Sequence, residues 1–296
     1  MFVRVRKRNR ARWSRPLQFS VLALLLLAEG RAEDAGATFR IEPSIDEVPA
    51  NHLKFYLHFS EPMERGSVFR YLKLLEIDEQ GKAMSEVPEP FREVELWNEA
   101  FTRMTLWFHP GRQKPGVNLN VEIGPILEEG KRYQLEISRD WKTERSTRLE
   151  GPLEKVFTAG GIDNEQPDPG RWGSGYRVDS KGRIEMLIGT REVLDPESAS
   201  RRIEIFQGEK KIAFVVENYQ ISFPCQENPE SSFRVVVDPR LEDLAGNSVA
   251  RPFNLDLNEH PDFEERTKPV VLSFPRKIVI PEGAEFPGLP TEKEKE

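Results

Sequence analysis

Four histidines, a single cysteine and an excess of carboxylates are the groups in this chain able to do acid-base, nucleophilic or metal chemistry. Their spacing does not assemble a reactive centre. Cys225 follows Pro224, far along the chain from His52, His58 and His109, and His260 lies beyond it, so no Cys-His pair is implied and the thiol reads as inert. The histidines never fall in a His-Glu-x-x-His pattern, which excludes the commonest helical zinc motif. Ser174 sits in Gly173-Ser174-Gly175, which lacks the flanking pattern of a nucleophile elbow. Asp238, Glu242, Asp243 and Asn247 offer oxygens that calcium would accept, but not at the spacing of an EF-hand loop. The other acids are too many and too evenly spread to single out a glycosidase pair, and they read as a solvated face. No catalytic residue, cofactor or metal is expected, and the chain reads as a non-enzyme.

What remains is a binding constellation, and it depends on strands. In Leu53-Lys54-Phe55-Tyr56-Leu57-His58-Phe59 every second residue is apolar, so Leu53, Phe55, Leu57 and Phe59 face a core while Tyr56 and His58 face away. Met104, Leu106 and Phe108 do the same farther on, turning Trp107 and His109 outward. If the two strands are neighbours, Tyr56, His58, Trp107 and His109 form an aromatic patch suited to stacking on a sugar ring or packing against a partner domain. A cover supplied by the protein itself, from an insertion or a second module, is the favoured reading, because large exposed aromatic patches are uncommon.

The period of two recurs in Tyr133 to Ile137, Ile184 to Ile188 and Phe233 to Val237, and helical periodicity is scarce. Val68 to Ile77 begins as a possible helical turn and ends as a strand, and Asp78-Glu79-Gln80-Gly81-Lys82 supplies a hairpin turn. Two segments close alike: Tyr133 to Ile137 with Leu149 to Phe157, and Phe233 to Asp238 with Phe253 to Leu257. The expected fold is all-β, two tandem Ig-like β-sandwich domains, the first with a long loop insertion. The expected boundaries are a signal segment at 1–32, a first sandwich at 33–160 with its insertion at 87–130, a linker at 161–175, a second sandwich at 176–258 and a Pro-rich charged tail at 259–296. Within that tail, Val270-Val271-Leu272 and Ile278-Val279-Ile280 are apolar enough to dock as edge strands.

Residues 1–32 combine a run of arginines, an apolar stretch from Phe19 to Ala28 and Gly30-Arg31-Ala32 before a plausible cut. The apolar stretch is about half of the ~20 residues a bilayer-spanning helix needs, so the membrane is a partner only if this segment stays attached. It holds eight Lys+Arg and one acid, and without it the formal charge falls from −7 to −14. Such an acidic chain repels nucleic acid. A lone cysteine forbids an internal disulfide and fits an exported envelope protein, periplasmic, cell-envelope or secreted, better than a disulfide scaffold.

Leu57-His58-Phe59-Ser60-Glu61-Pro62-Met63 resembles the early strand and turn of bacterial Ig-like domains of the S-layer type, and Leu241-Glu242-Asp243-Leu244-Ala245-Gly246-Asn247 is similar to their late turn. The first module has a degraded late turn at Trp141 to Ser146, and the second a degraded early one at Gly189-Thr190-Arg191-Glu192. The resemblance implies an Ig-like spacer or adhesion module with no catalytic residue to carry over. In physical terms, Ser60 or Glu61 can accept a turn N–H, Pro62 ends its strand, Asp243 opens the late turn, and Gly246 with Asn247 permits the reversal. The expected partners are an envelope polysaccharide or another protein.

Overall fold

The computed structural model describes residues 36–113, 118–151, 153–178, 184–224, 232–256, 258 and 260–274. The signal-like segment, Cys225, Leu257 and Ile278 to Ile280 lie outside the described residues.

Two β-sandwiches follow one another, and their topologies superpose strand for strand. In the first, β1 (Phe39–Glu42), β3 (Lys54–Phe59), β7 (Arg103–Trp107) and β6 (Leu96–Trp97) form one sheet in that order. The facing sheet runs β2 (Glu47–Pro49), β9 (Glu154–Gly160), β8 (Arg132–Ile137), β4 (Leu72–Ile77), β5 (Ala83–Glu86). The second sandwich repeats this as β10 (Gly173–Val178), β11 (Ile184–Gly189), β15 (Gln220–Pro224), β14 (Val215–Glu217), opposite β13 (Lys210–Ile212), β12 (Ile203–Gln207), β16 (Phe233–Val237), β17 (Val270–Phe274). Only the short parallel strand β2 has no counterpart among the described residues.

The alternation read along the chain is what fills these cores. Phe55 and Leu57 of β3, Leu72 and Leu74 of β4, Met104 and Leu106 of β7 and Tyr133, Leu135 and Ile137 of β8 point into the first sandwich around Trp141. Met186 and Ile188, Ile203 and Ile205, Ile221 and Phe223, and Phe233, Val235 and Val237 fill the second. Burial of apolar side chains on both facing sheets is the dominant stabilising term in such a sandwich.

Several expected boundaries move. Val68 to Tyr71 forms a single 3-10 turn leading into β4, as the mixed pattern implied, and Asp78 to Lys82 is a hairpin turn with Gly81 at φ 81°. The long 87–130 stretch is not one loop, because β6 and β7 lie inside it. β7 is an interior strand, held there by Met104 and Leu106 facing the core. The irregular part shrinks to two short helices, α1 (Pro110–Gln113) and α2 (Asn118–Ile123).

Of the expected closing segment, Phe253 to Asp256 forms no strand of the second sandwich. Pro252 has no N–H for a ladder, Phe253-Asn254 makes a turn, and the Phe253 N–H goes to Asn247 Oδ1 at 3.0 Å. The closing strand is β17, inside the expected tail, paired along β16 from Phe233↔Phe274 to Val237↔Val270.

The expected linker is packed rather than free. Asn51 donates through Nδ2 to the Asp163 carbonyl at 2.6 Å and accepts the Asp163 N–H at 2.9 Å, Gln166 donates to the Ser248 and Val249 carbonyls, and Gly173 already belongs to β10. The described residues of both sandwiches form one compact unit, and no helix among them is long and apolar enough to cross a membrane.

Candidate functional site

The outer face of β3 and β7 carries the residues the parity assigned to it, in the register Lys54↔Trp107, Tyr56↔Thr105 and His58↔Arg103. That face is covered rather than open. Tyr56 is only 4% exposed, because α3 (Pro196–Arg202) and the loop entering it lie across it. Asp195-Pro196-Glu197-Ser198 starts that helix in the usual way, with Asp195 as N-cap accepting the Ser198 N–H at 2.7 Å and Pro196 at the first helical position. The same carboxylate accepts the Tyr56 hydroxyl, 2.9 Å from both oxygens.

Around this contact the charges are paired. Lys54 Nζ donates to Glu242 Oε2 at 2.8 Å and lies 3.4 Å from Asp195 Oδ2, while Arg103 pairs with Glu197. Burial raises the Asp195 carboxyl pKa against the opposing pull of Lys54 and the Ser198 N–H. Burial also works to lower Lys54, but the attraction of Asp195 and Glu242 outweighs it and holds the ammonium charged. Tyr56 is raised by burial and by the Asp195 carboxylate, so it stays a phenol and serves as a donor, not a base.

His58 sits two positions along the same face, with Nε2 2.9 Å from Glu42 Oε2 at the rim. His109 does not join it. It lies past the end of β7, where its Nδ1 accepts the Gly111 N–H at 3.2 Å and steadies the start of α1. It opens on a separate hollow of about 750 Å³ rimmed by Glu86, Glu89 and Glu93.

Trp107 does line the space between the sandwiches. A cleft of about 400 Å³ is bounded by Trp107, Leu96 and Arg103 on one side and by Arg201, Arg202 and Arg240 on the other. Arg92 stands over the indole ring, 5.5 Å from its centroid. The three arginines and Asp195 went unread in the sequence. The Asp-Pro-x-Ser pattern was a legible cap, but nothing local tied it to Tyr56.

Deeper in the joint, the late turn of the second sandwich enters the first. Leu244, 3% exposed, belongs to the first core, and its carbonyl accepts the Leu53 N–H at 3.0 Å. Gly246 lies against Leu53 with φ 83°, and a Cβ there would overlap Leu53 Cδ1. Asp243 accepts the Ala245 and Asn247 N–H groups and the Asn247 side-chain amide, and burial pushes its pKa up to about 8. Asn247 also donates to the Asp163 carbonyl that Asn51 engages. His52, fully buried beside Phe55, is pushed down to about 3 by desolvation and is neutral. In the early turn, Ser60 Oγ accepts the Thr38 N–H from the strand β1 side rather than a bond within the turn, Glu61 accepts none through Oε2, and the Pro62 carbonyl accepts the Glu144 N–H at 2.9 Å.

Among the described residues no group of three or more His, Cys, Asp or Glu is placed to hold a metal ion. The arrangement does two things chemically: it locks two sandwiches together, and it gathers arginines around an aromatic wall.

No family model matches the chain, and no curated protein matches it. Among solved structures, the crystal structure of native alpha-2-macroglobulin from Escherichia coli spanning domains MG0-NIE-MG1 matches 68% of this chain at 10% identity and a TM-score of 0.24. The match covers 66% of that chain, just under two thirds of its length.

Proposed function

We propose that this chain is a non-enzymatic exported envelope protein in which two Ig-like sandwiches act as one rigid structural unit. The observation that carries this reading is the entry of Leu244 into the core of the neighbouring sandwich. An apolar side chain from one sandwich buried in the core of the other makes opening of the joint expose buried surface, which opposes hinge motion. The buried Tyr56–Asp195–Lys54 contact adds directionality, since its groups lose their partners if the sandwiches part. The signal-like arrangement of residues 1–32 and the acidic remainder support export, and the turn resemblance to S-layer-type Ig-like domains supports a spacer role.

Thermal unfolding of residues 33–296 tests the reading. One cooperative transition is expected in the native chain, with Leu244→Ala separating it into two. Two independent transitions in the unaltered protein would overturn the rigid unit, and turnover by the purified protein would overturn the non-enzymatic assignment.

A further inference from the structure

We propose that the cleft between the sandwiches binds a carboxylated saccharide, a glycan segment bearing uronic-acid-type residues. The inference goes beyond the rigid-unit reading: the joint could be rigid with the cleft empty of function, and the two are measured separately.

The first argument is charge. Five cations line the cleft, Lys54, Arg103, Arg201, Arg202 and Arg240, in a chain whose formal charge is −7. Its acids are already engaged: Asp195 by Tyr56 and Lys54, Glu242 by Lys54, Glu197 by Arg103. Arg202 and Arg240 share the one carboxylate of Asp238, at 3.5 and 2.6 Å, and Arg201 reaches Glu197 only at 3.5 Å. Arg201 and Arg202 also complement the C-terminal end of α3, which accounts for their presence on the helix. Arg240 joins them from the segment after β16. The Arg201 side chain is 65% exposed and holds only its 3.5 Å contact to Glu197, whereas Arg240, 69% exposed, is clamped on Asp238 through Nε at 2.9 Å and Nη2 at 2.6 Å. Guanidinium forks match carboxylates in a bidentate geometry.

The second argument is shape. Trp107 and Leu96 supply an apolar wall of the kind on which the C–H face of a sugar ring packs, and about 400 Å³ lies within the range of small-ligand sites. A carboxylate for the arginines and a ring face for the indole are united in an acidic sugar.

Isothermal titration of residues 33–296 with short oligogalacturonates, with neutral galactose oligomers of equal length and with inorganic phosphate tests the proposal. Binding of the oligogalacturonate is expected, weakened by added salt, with the neutral oligomer at least about tenfold weaker. Arg201→Gln with Arg240→Gln, both at exposed positions, and separately Trp107→Ala, should each weaken binding at least about tenfold with the unfolding transition of the arginine pair unchanged. Absence of binding, equal binding of the neutral oligomer, or unchanged affinity in the arginine pair would overturn the proposal. Phosphate binding as tightly as the oligomer would overturn the saccharide and reassign the cleft to simple oxyanions.

Discussion

The late turns of the two sandwiches, Trp141 to Thr147 and Leu241 to Asn247, share one backbone and lead opposite lives. In each, the third residue donates its N–H to the carbonyl of the seventh, Thr143 to Thr147 and Asp243 to Asn247, both at 3.0 Å. In each, the third residue's side-chain oxygen accepts the seventh's N–H. Each turn is bridged to the end of an early turn, through Met63↔Thr143 and Leu194↔Asp243. The sixth residue of each has a positive φ, 65° for Ser146 and 83° for Gly246. The first turn faces water, with Glu144 paired to Arg65 on the surface. The second is buried, with Leu244, Ala245 and Asn247 packed into the joint. The comparison teaches that the turn geometry is a property of the fold, whereas its side chains answer to what covers it. Glu144 and Leu244 occupy the same place, one as a surface charge and the other as a plug.

The contrast is broken most directly at that place. Leu244→Ala should destabilise by about 2–5 kcal/mol, the range for emptying a core leucine site, while Glu144→Ala stays within about 0.5 kcal/mol, as for an ordinary surface change. Equal losses in urea denaturation would show that the second turn is no joint. Next in size, Gly246→Ala should cost at least about 1–2 kcal/mol, since a left-handed residue and a collision with Leu53 combine. Ser146→Gly at the matching position should move stability by less than about 1 kcal/mol, relief of the left-handed strain being offset by chain entropy. Tyr56→Phe, which strips a hydroxyl from buried Asp195, should cost about 1–3 kcal/mol and lower the melting temperature without altering secondary structure by circular dichroism.

The smallest expected effect is a pH slope. Asp243 keeps its proton to about pH 8 in the folded chain but releases it near its ordinary 3.8 when unfolded, and Glu192, pushed up to about 7 by burial, behaves likewise. The folded state therefore binds more protons between these values, and stability falls as pH rises through roughly 4 to 8. His52, held down near 3, works the other way and penalises the folded state as pH drops below its ordinary 6.5. Between pH 6 and 7 the carboxyl pair dominates, so a decline of about 1 kcal/mol is expected, and Asp243→Asn should flatten it. A stability rising with pH in that window would contradict the buried, protonated Asp243.

Much of the sandwich was legible. The alternation in β3, β7, β8, β11 and β16 marks its inward residues correctly, because side-chain direction along a strand is a local, two-residue property. The closing strand of the second sandwich was not, since Phe253 to Leu257 and Val270 to Phe274 are both apolar enough and only ladder pairing separates them. For the candidate site, parity placed Tyr56, His58 and Trp107 on one face, and it placed His109 there wrongly because the strand ends at Trp107. The arginines opposite Trp107 carried no signal, as each alone reads as a solvated charge.

The chain's own pattern of alternating apolar residues, turn glycines and capping aspartates determined that there would be two β-sandwiches and which faces would point outward. Which outward face would be covered, and by what, was decided in three dimensions. Tyr56 and Asp195 stand 139 residues apart, and a residue's exposure depends on what packs over it from anywhere in the chain. Local periodicity encodes direction, and only the packed chain encodes neighbours.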